Sequence, residues 1–350
     1  MPPPESIVVP AAHPDYATAS DLPLELWAKC ICALILDGSL SPKHSAEMRG
    51  FVACVCKEWH SRVYTMSEFW STITIFKSVP IDRLDFVLSK CASGPIHIKL
   101  HLRDVRSILG KPPTVWNVAL MLDAIFEKIT PYSTRWTTFQ LITENPFVFR
   151  RVHHLCKSLP ADSLSNLHMA YIYTPGYSAP IHPLDTYLLP FQAYPWFGDK
   201  LDKIRTLNFF CASVNWSAFG TFQDLQELEL SDFFCLESIA PGLLPTILNG
   251  APQLRALTIG ALREFALPTG YLLTSTSLRV LDVEFYRPAF VGGLLSAFHL
   301  PNLSTLVVRQ VYSNVPLLLA CYAETPATRL DTLYGRFIQS VLQLGLGAAF

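Results

Sequence analysis

The stretch LQELEL, residues 225–230, carries leucine at its first, fourth and sixth positions with polar residues between them. Its last four residues alternate in the way that is typical of a half-buried strand. Leu228 and Leu230 would then face a core, whereas Glu227 and Glu229 would face the opposite side. The stretch therefore predicts a short β-strand, and one further buried residue, Leu225, comes just before it.

The same spacing recurs along the second half of the chain. Related segments begin at Leu164, Ile204, Leu254, Leu278 and Leu303, and weaker versions surround Phe139 and Leu333. The central positions are 167, 207, 228, 257, 281 and 306, so the first interval is 40 residues and the others are 21 to 29. Such intervals are typical of leucine-rich repeats, whose strands bury their apolar sides only by stacking on one another.

We therefore expect residues 77–350 to form an α/β domain, an irregular leucine-rich-repeat solenoid with parallel strands. The solenoid should be irregular because a regular repeat carries Asn or Cys five residues after its central leucine. The residues at those positions here are Ile172, Ala212, Phe233, Leu262, Tyr286 and Val311. An ordinary α/β domain with parallel strands is the alternative explanation of the same leucines.

Period-two alternation assigns the residues between the leucines to an open face. The predicted open-face residues are Thr206, Asn208, Phe210, Glu227, Glu229, Ser231, Ala256, Thr258, Gly260, Val280, Asp282, Glu284, Thr305, Val307 and Arg309. We assign binding of a target protein to Thr206, Asn208, Phe210, Glu227, Glu229, Asp282, Glu284 and Arg309. The acidic residues among them favour a basic segment, and simple solvation is the alternative explanation of their charge.

The first 76 residues contain a proline-rich start and helical patterns. Residues 1–20 predict a disordered tail. The stretch DLPLELWAKCICALIL, residues 21–36, predicts a helix whose apolar residues cover more than one face. A second helix opens at Pro42, and Gly50 is expected to interrupt it. The stretch FVACVCKEWHSRV, residues 51–63, then predicts a single helix with Phe51, Val55, Trp59 and Val63 on one side.

Three blocks in this region, LPLELW (22–27), VCKEW (55–59) and FWS (69–71), resemble an F-box in their order and spacing. An F-box is a small helical module that docks on the Skp adaptor of cullin-RING ubiquitin ligases. The resemblance covers residues 21–76 and implies which residues lie at or behind that interface. These are Leu22, Pro23, Leu26, Trp27, Val55, Cys56 and Trp59. Adaptor binding would require Leu22, Leu26 and Trp27 to be accessible.

The resemblance implies a non-catalytic, substrate-recognition subunit of a Skp–cullin–F-box ubiquitin ligase. The helical module would bind the Skp adaptor, and the repeat domain would bind a target protein that the complex then modifies with ubiquitin. The alternative is a non-catalytic repeat scaffold whose F-box-like lobe is only an N-terminal cap. No motif for an enzymatic function is found.

Composition excludes several other classes of function. The formal net charge is −1 and no dense basic stripe is found, so nucleic acid is not an expected partner. The longest uncharged part of the apolar run is residues 30–36, whereas a membrane-spanning helix needs about 20 apolar residues. The nine scattered cysteines favour a reducing compartment, the cytoplasm or the nucleus.

No metal or cofactor is predicted. Cys30 and Cys32, like Cys54 and Cys56, lie two residues apart on predicted helices. Residues at that spacing project from a helix about 200° apart, so neither pair can hold one ion.

Overall fold

The computed structural model of the chain describes residues 23–36, 42–76, 81–91, 93–102, 115–174, 197, 203–210, 222–231, 243–262, 273–285 and 298–310. The chain divides into two compact units, a helical unit (Met1–Phe69) and a sheet unit (Trp70–Phe350). This division falls seven residues before the predicted boundary at residue 76, because Ile73 and Ile75 belong to the first strand of the sheet unit. The predicted tail, residues 1–20, and Leu22 lie outside the described residues.

Short helices make up the described part of the helical unit. They are α1 (Leu24–Leu36), α2 (Pro42–Cys54), α3 (Lys57–Thr65) and α4 (Ser67–Trp70), and the sheet unit begins at the last residue of α4. The buried apolar side chains of these helices and their connections are Trp27, Ile31, Val52, Val63, Met66 and Phe69.

The predicted single helix over residues 51–63 is wrong, because α2 ends at Cys54 and α3 begins at Lys57. Cys56 has an extended backbone and caps α3: its Sγ accepts a hydrogen bond from the Trp59 backbone N–H at 3.4 Å. Glu58 follows in the first turn, where the helix dipole favours a carboxylate. Phe51 and Val55 therefore do not share one helical face with Trp59.

Gly50 does not interrupt α2, which continues through it, so that prediction is also wrong. A Cβ atom built on Gly50 would meet nothing within 4 Å. We expect Gly50→Ala to raise the free energy of unfolding of the helical unit by about 0.5–1 kcal/mol, because alanine loses less backbone entropy in a helix. Hydrogen exchange of the α2 amides in the full chain should slow accordingly.

The matched control for this variant is another glycine, Gly260, where a Cβ would lie 2.8 Å from Ser231 Oγ and 3.2 Å from Ser231 Cα. Gly260→Ala should therefore speed exchange around that contact in the sheet unit. Exchange of α2 that is unchanged or faster in Gly50→Ala contradicts the prediction.

The main sheet of the sheet unit contains nine parallel strands whose order in the sheet follows their order in the chain. They are β1 (Thr72–Ile75), β2 (Ile96–His101), β3 (Trp136–Ile142), β4 (Met169–Tyr173), β5 (Thr206–Phe210), β6 (Glu227–Ser231), β7 (Ala256–Leu262), β9 (Val280–Phe285) and β11 (Thr305–Gln310). The short strands β8 (Leu273–Thr274) and β10 (Phe298–His299) pair in parallel in a second sheet. The predicted mixed α/β class with parallel strands is confirmed.

One face of the main sheet forms a continuous apolar core. In the strand register, the central residues lie side by side across the last five strands: Leu207, Leu228, Leu257, Leu281 and Leu306. The helices that add to this core are α5 (Ile81–Lys90), α6 (Val115–Ile129), α7 (Pro146–Lys157) and α8 (Leu243–Gly250). Because the leucines face these helices, the residues between them lie on the other side of the sheet, which we call the open face.

Polar groups near the N-terminus of α7 fix the position of this helix. Asn145 Oδ1 accepts hydrogen bonds from the backbone N–H groups of Phe147 (2.9 Å) and Val148 (3.3 Å), and Pro146 occupies the first turn, where it needs no hydrogen bond. On the next turns, Arg151 makes a two-pronged contact with Asp123 of α6, at 2.7 and 2.5 Å. These contacts hold α6 and α7 together over the core.

The backbone repeats the same hydrogen-bond pattern at the start of five successive strands. A single carbonyl oxygen just before one strand accepts hydrogen bonds from two backbone N–H groups of the next unit, with N···O distances of 2.7 to 3.0 Å. The five accepting residues are His168, Arg205, Gln226, Arg255 and Arg279. Each lies two residues before the strand residue that aligns with Leu207 in the register, which in the unit of β4 is Ala170, so the five units share one backbone geometry.

In several units a short turn, which contains a further buried residue, precedes the strand. Hydrogen bonds close the turn from Leu167 N to Leu164 O, from Leu225 N to Phe222 O, from Leu254 N to Ala251 O and from Leu303 N to Leu300 O, at 2.9 to 3.3 Å. In the unit of β9, the Ser275 hydroxyl replaces the carbonyl and accepts from Leu278 N at 3.4 Å. Each of these turns thus begins six residues before the strand residue that aligns with Leu207 in the register.

This turn explains an error in the predicted phase of the unit at β4. Ala170, not Leu167, pairs with Leu207, and Ile172 pairs with Phe209. Leu164 and Leu167 are the turn residues of this unit, and their three-residue spacing imitates the first two leucines of the motif. Met169, the sixth residue of the segment that begins at Leu164 and therefore predicted to face the core, is instead exposed on the open face.

The weaker unit around Phe139 is confirmed as a strand, since Phe139 pairs with Ala170. Two strands that the leucine pattern did not include, β1 and β2, pair through Ile73 and Ile98. The segment around Leu333 lies outside the described residues, as do Ala212, Phe233, Tyr286 and Val311. Among the residues that the structure describes, no helix has the length and apolarity that crossing a membrane requires.

Candidate functional site

Trp27 is the centre of the helical unit rather than part of its surface. Its side chain is only 2% exposed, and its ring meets the ring of Trp59 edge to face, with the centroids 5.0 Å apart. The Arg62 guanidinium lies 5.8 Å from the Trp27 ring centroid and is also paired with Glu58 at 2.6 Å. The expectation that Trp27 is accessible is therefore wrong, because the indole ring joins α1 to α3.

Three large apolar side chains of the helical unit are exposed. Leu26 is 50% exposed on α1, Phe51 is 68% exposed on α2, and Val55 is 60% exposed at the bend before α3. Pro23 and Cys56 are exposed as well, and Trp59 is half-buried. The expected accessibility of Leu26 is confirmed. Sequence reasoning missed Phe51 because it placed this residue on one helical face with Val63, which is buried.

The half-buried thiol of Cys32 belongs to the interior of the helical unit. Burial raises the pKa of Cys32, the Glu68 carboxylate raises it further, and Arg49 opposes both. The thiol is therefore kept protonated, which suits packing rather than metal binding or nucleophilic chemistry. Across the described ranges, no three His, Cys, Asp or Glu side chains are grouped so that they could hold a metal ion.

The open face of the sheet brings the predicted target-binding residues together. In register, Thr206 lies beside Glu227, Asn208 beside Glu229, and Glu284 beside Arg309. Phe210 and Asp282 lie on the same face, since their neighbours in sequence, Phe209 and Val283, are in the core. All eight residues therefore share the side of the sheet opposite the leucines.

An aromatic cluster on β4 and β5 extends this face. The rings of Tyr173 and Phe210 stack with centroids 4.3 Å apart, and Tyr171 stacks on Tyr173 at 6.2 Å. The phase error at β4 concealed both tyrosines, because it assigned the strand's apolar side to Leu167 and Met169. The alternation within MAYIY, residues 169–173, is the signal that could have located them.

Two histidines on β2 take part in polar contacts across the open face. His97 Nδ1 lies 3.0 Å from Thr138 Oγ1 and 3.2 Å from Thr137 Oγ1, and His101 Nε2 lies 3.2 Å from Gln140 Oε1. Burial lowers the pKa of His97, and Lys99 lowers it further, so the neutral imidazole is favoured. These histidines act as hydrogen-bonding groups that join β2 to β3.

Acidic residues dominate the other end of the open face, on β6 and β9. Asp282, expected to face solvent, is only 7% exposed, and one of its oxygens pairs with Arg309. Burial raises the pKa of Asp282; Arg309 lowers it, and Glu284 and Glu229 raise it again. Ser231 and Gly260, also expected to face solvent, are buried, and the Ser231 hydroxyl occupies the space that a Cβ on Gly260 would need.

The geometry thus presents two surfaces, the exposed apolar side chains of the helical unit and the open face of the sheet unit. Neither surface holds an arrangement of described residues that suggests covalent chemistry, whereas both present side chains suited to binding proteins. A scan against protein-family models and a search of curated proteins each found no match to this chain.

Proposed function

We propose that this chain is a substrate-recognition adaptor of a Skp–cullin–F-box ubiquitin ligase. The observation that carries the proposal is the exposure of Leu26, Phe51 and Val55 on the helical unit. Trp27 does not meet the expected accessibility; its ring is buried against Trp59 of the same unit, so in this proposal it supports the interface from within rather than contacting the adaptor. Large apolar side chains that remain exposed on a folded unit are suited to burial against a partner protein. The resemblance of the blocks 22–27, 55–59 and 69–71 to an F-box supports a Skp-type adaptor as the partner.

The sheet unit is, in the same proposal, an irregular leucine-rich-repeat solenoid. Its strand order follows the chain without reversal, whereas a doubly wound α/β domain reverses its order at a switch point. The paired hydrogen bonds to one carbonyl at five strand starts further support a repeating unit. The ordinary α/β domain is the less favoured alternative, since it requires no such repetition.

The open face of this solenoid binds the target protein. It is lined by aromatic rings at β4 and β5 and by carboxylates at β6 and β9, and both groups are suited to recognising an exposed segment of a partner. Binding at two surfaces of one chain raises the effective concentration of the target near the ligase. The chain itself performs no chemistry in this proposal and acts in the cytoplasm or the nucleus.

Adaptor binding is tested by making the exposed apolar side chains charged. We expect the double variant Leu26→Glu and Val55→Glu to weaken binding of a purified Skp-type adaptor by about 30-fold or more, since the loss of even one central interface residue costs about 2 kcal/mol. Phe51→Glu alone should have a similar effect. Isothermal titration calorimetry on the full chain measures the dissociation constants.

Leu120→Glu is the matched control, because Leu120 is an equally exposed leucine on α6 of the sheet unit. It should leave adaptor binding unchanged. Circular dichroism and hydrogen exchange of α1 to α3 verify that each variant is folded. Undiminished adaptor binding by the folded double variant, or no binding by the unaltered chain, would reject the adaptor and favour the repeat scaffold.

A further inference from the structure

The aromatic cluster of Tyr171, Tyr173 and Phe210 forms a row of stacked rings on the open face. The planes of the two tyrosine rings differ by only 9°, and those of Tyr173 and Phe210 differ by 27°. All three side chains are half-buried, so part of each ring is accessible, and Met169 on the same strand is 37% exposed. Large apolar side chains that remain accessible on a folded sheet are suited to burial against a partner.

The main chain beneath these rings has no free strand edge. β4 pairs with β3 and β5, and β5 pairs with β4 and β6, so an incoming segment cannot extend the sheet here. A segment that packs on the rings therefore finds no backbone acceptors for its N–H groups, and a buried N–H without an acceptor costs free energy. Proline has no N–H group, so a proline-rich segment avoids most of this cost.

Polar side chains beside the rings supply donors for backbone carbonyl groups. Asn208 lies next to Tyr171 in the register, and its side-chain amide has no hydrogen-bond partner among the described residues. Gln140, on the other side of Tyr171, uses its Oε1 for the contact with His101, which leaves its amide N–H groups as donors. A polyproline II helix has no internal hydrogen bonds, so its carbonyl groups are available to such donors.

A carboxylate lies at a distance from the rings that matches the repeat of a polyproline II helix. The register places Tyr171, Asn208 and Glu229 side by side, so Glu229 is two strand spacings, about 10 Å, from Tyr171. Every third residue of a polyproline II helix faces the same way, about 9 Å further on. A proline over Tyr171 therefore brings the residue three positions away over the half-exposed Glu229, where a basic side chain can pair with it.

We propose that the aromatic cluster, with Asn208 and Glu229 beside it, binds a proline-rich segment of the target protein that crosses β4 to β6 as a polyproline II helix. A basic residue, three positions from the proline over Tyr171, pairs with Glu229 and sets the direction of the segment. The proposal rests on the proposed function, in which the open face binds a target protein, and gives the chemistry of that target. A proline-rich segment also loses little conformational entropy on binding to an aromatic surface.

The test measures binding of fluorescein-labelled peptides to the full chain by fluorescence polarisation. The proline peptide is a short run of prolines with one arginine, placed at the N-terminal end in one form and at the C-terminal end in the other. The alanine peptide replaces the prolines with alanine, and the neutral peptide replaces the arginine with glutamine. We expect the tighter form of the proline peptide to bind at least about tenfold more tightly than the matching alanine peptide, because alanine adds N–H groups and conformational freedom.

The contribution of the rings is tested by Tyr173→Leu combined with Phe210→Leu. This variant should weaken binding of the proline peptide about tenfold, because two rings that contact the segment are lost. The matched control is Phe147→Leu, which replaces an exposed phenylalanine at the start of α7, among the helices on the other side of the sheet. It should change binding by less than about twofold. Hydrogen exchange of the β4, β5 and β6 amides verifies that each variant is folded.

The role of the carboxylate is tested by Glu229→Gln in a double-mutant cycle. The unaltered chain should bind the proline peptide about threefold more tightly than the neutral peptide, and this difference should vanish in Glu229→Gln. Glutamine retains the acceptor that Ser231 Oγ bonds on Glu229 at 3.1 Å, so the strand contacts are preserved. Glu127→Gln, at an exposed position on α6, should leave the difference unchanged. Asn208→Leu should weaken both peptides equally, because it removes a donor without changing the charge.

Several results would overturn the proposal. They are equal affinity for the proline and alanine peptides, no binding of either form of the proline peptide, and equal weakening by the ring variant and Phe147→Leu. Sedimentation of the chain without peptide tests a second copy of the chain as the occupant. A dimer that the ring variant dissociates would assign the cluster to self-association and would also overturn the proposal.

The ring variant is also titrated with the Skp-type adaptor. Unaltered adaptor binding with weakened peptide binding supports the aromatic cluster as a site separate from the helical unit. If the unaltered chain binds the adaptor and not the proline peptide, this proposal fails while the adaptor function stands. If it binds the peptide and not the adaptor, the cluster remains a peptide-binding site of the repeat scaffold and the adaptor function fails.

Discussion

Replacing Phe209 with alanine is expected to lower the free energy of unfolding of the sheet unit by about 3–5 kcal/mol. Phe209 is fully buried on β5, between Ile172 of β4 and Leu230 of β6 in the register. Removing its ring leaves a cavity that neighbouring strands, held by ladder hydrogen bonds on both sides, cannot close. The loss therefore includes both the transfer free energy of the ring and the cavity term.

The next residue supplies the control, because Phe210 is the same amino acid on the other face of the same strand. Phe210→Ala removes a half-buried ring and its stack on Tyr173, so we expect a loss of about 1–2 kcal/mol. Hydrogen exchange of the β4, β5 and β6 amides in the full chain, followed with increasing urea, measures both changes. Equal losses for the two variants would contradict the assignment of the faces of β5.

Trp27→Ala is expected to lower the free energy of unfolding of the helical unit by a similar amount, about 3–5 kcal/mol. The indole ring is almost fully buried and makes the edge-to-face contact with Trp59, over which α1 and α3 meet. A small unit contains few buried side chains, so the loss of its largest one removes most of its stability. We expect α1 and α3 to unfold cooperatively while the sheet unit stays protected.

Leu26→Ala tests whether this effect depends on burial rather than on position in α1. Leu26 is adjacent to Trp27 and half-exposed, so its truncation should change the free energy of unfolding by less than about 1 kcal/mol. Exchange of the α1 and α3 amides in the full chain separates the two variants. Protection that survives Trp27→Ala, or that Leu26→Ala removes equally, would contradict a core role for the indole ring.

The strand pattern of the sheet unit could be predicted because it depends on local physics. Alternation along a strand decides which face each side chain occupies, so LQELEL gave the correct faces for Leu228, Leu230 and the two glutamates between and before them. The same alternation put Phe210 and Arg309 on the open face. These assignments need no knowledge of distant residues.

The errors arose where two explanations share one spacing. Leu164 and Leu167 satisfy the first part of the leucine motif, yet they form the turn before the strand, and only the pairing of β4 with β5 distinguishes a turn from a strand here.

Two further errors concern the helices. Gly50 lowers helix propensity by about 1 kcal/mol relative to alanine, but the other residues of α2 outweigh this loss. The predicted helix over residues 51–63 is interrupted at Cys56, because the Cys56 thiol caps α3. Capping by cysteine is uncommon, so the sequence pattern did not indicate it.

Burial of polar side chains could not be predicted from alternation. Asp282 is on the predicted face, but its burial depends on the side chain of Arg309 from the next strand and on local packing. Likewise, Trp27 and Leu26 are adjacent in one helix, and the sequence does not show which of them meets α3. Tertiary contacts decide these points, and no pattern within a single element contains them.

The paired hydrogen bonds at the strand starts have a consequence for how such a chain can evolve. The carbonyl and the two N–H groups of each such pair belong to the main chain, so this hydrogen-bond pattern does not require a particular side chain at those positions. They are in fact histidine, arginine, glutamine, arginine and arginine in successive units. Mutation can therefore alter the chemistry along this edge of the sheet while the main-chain hydrogen bonds that link successive units are kept.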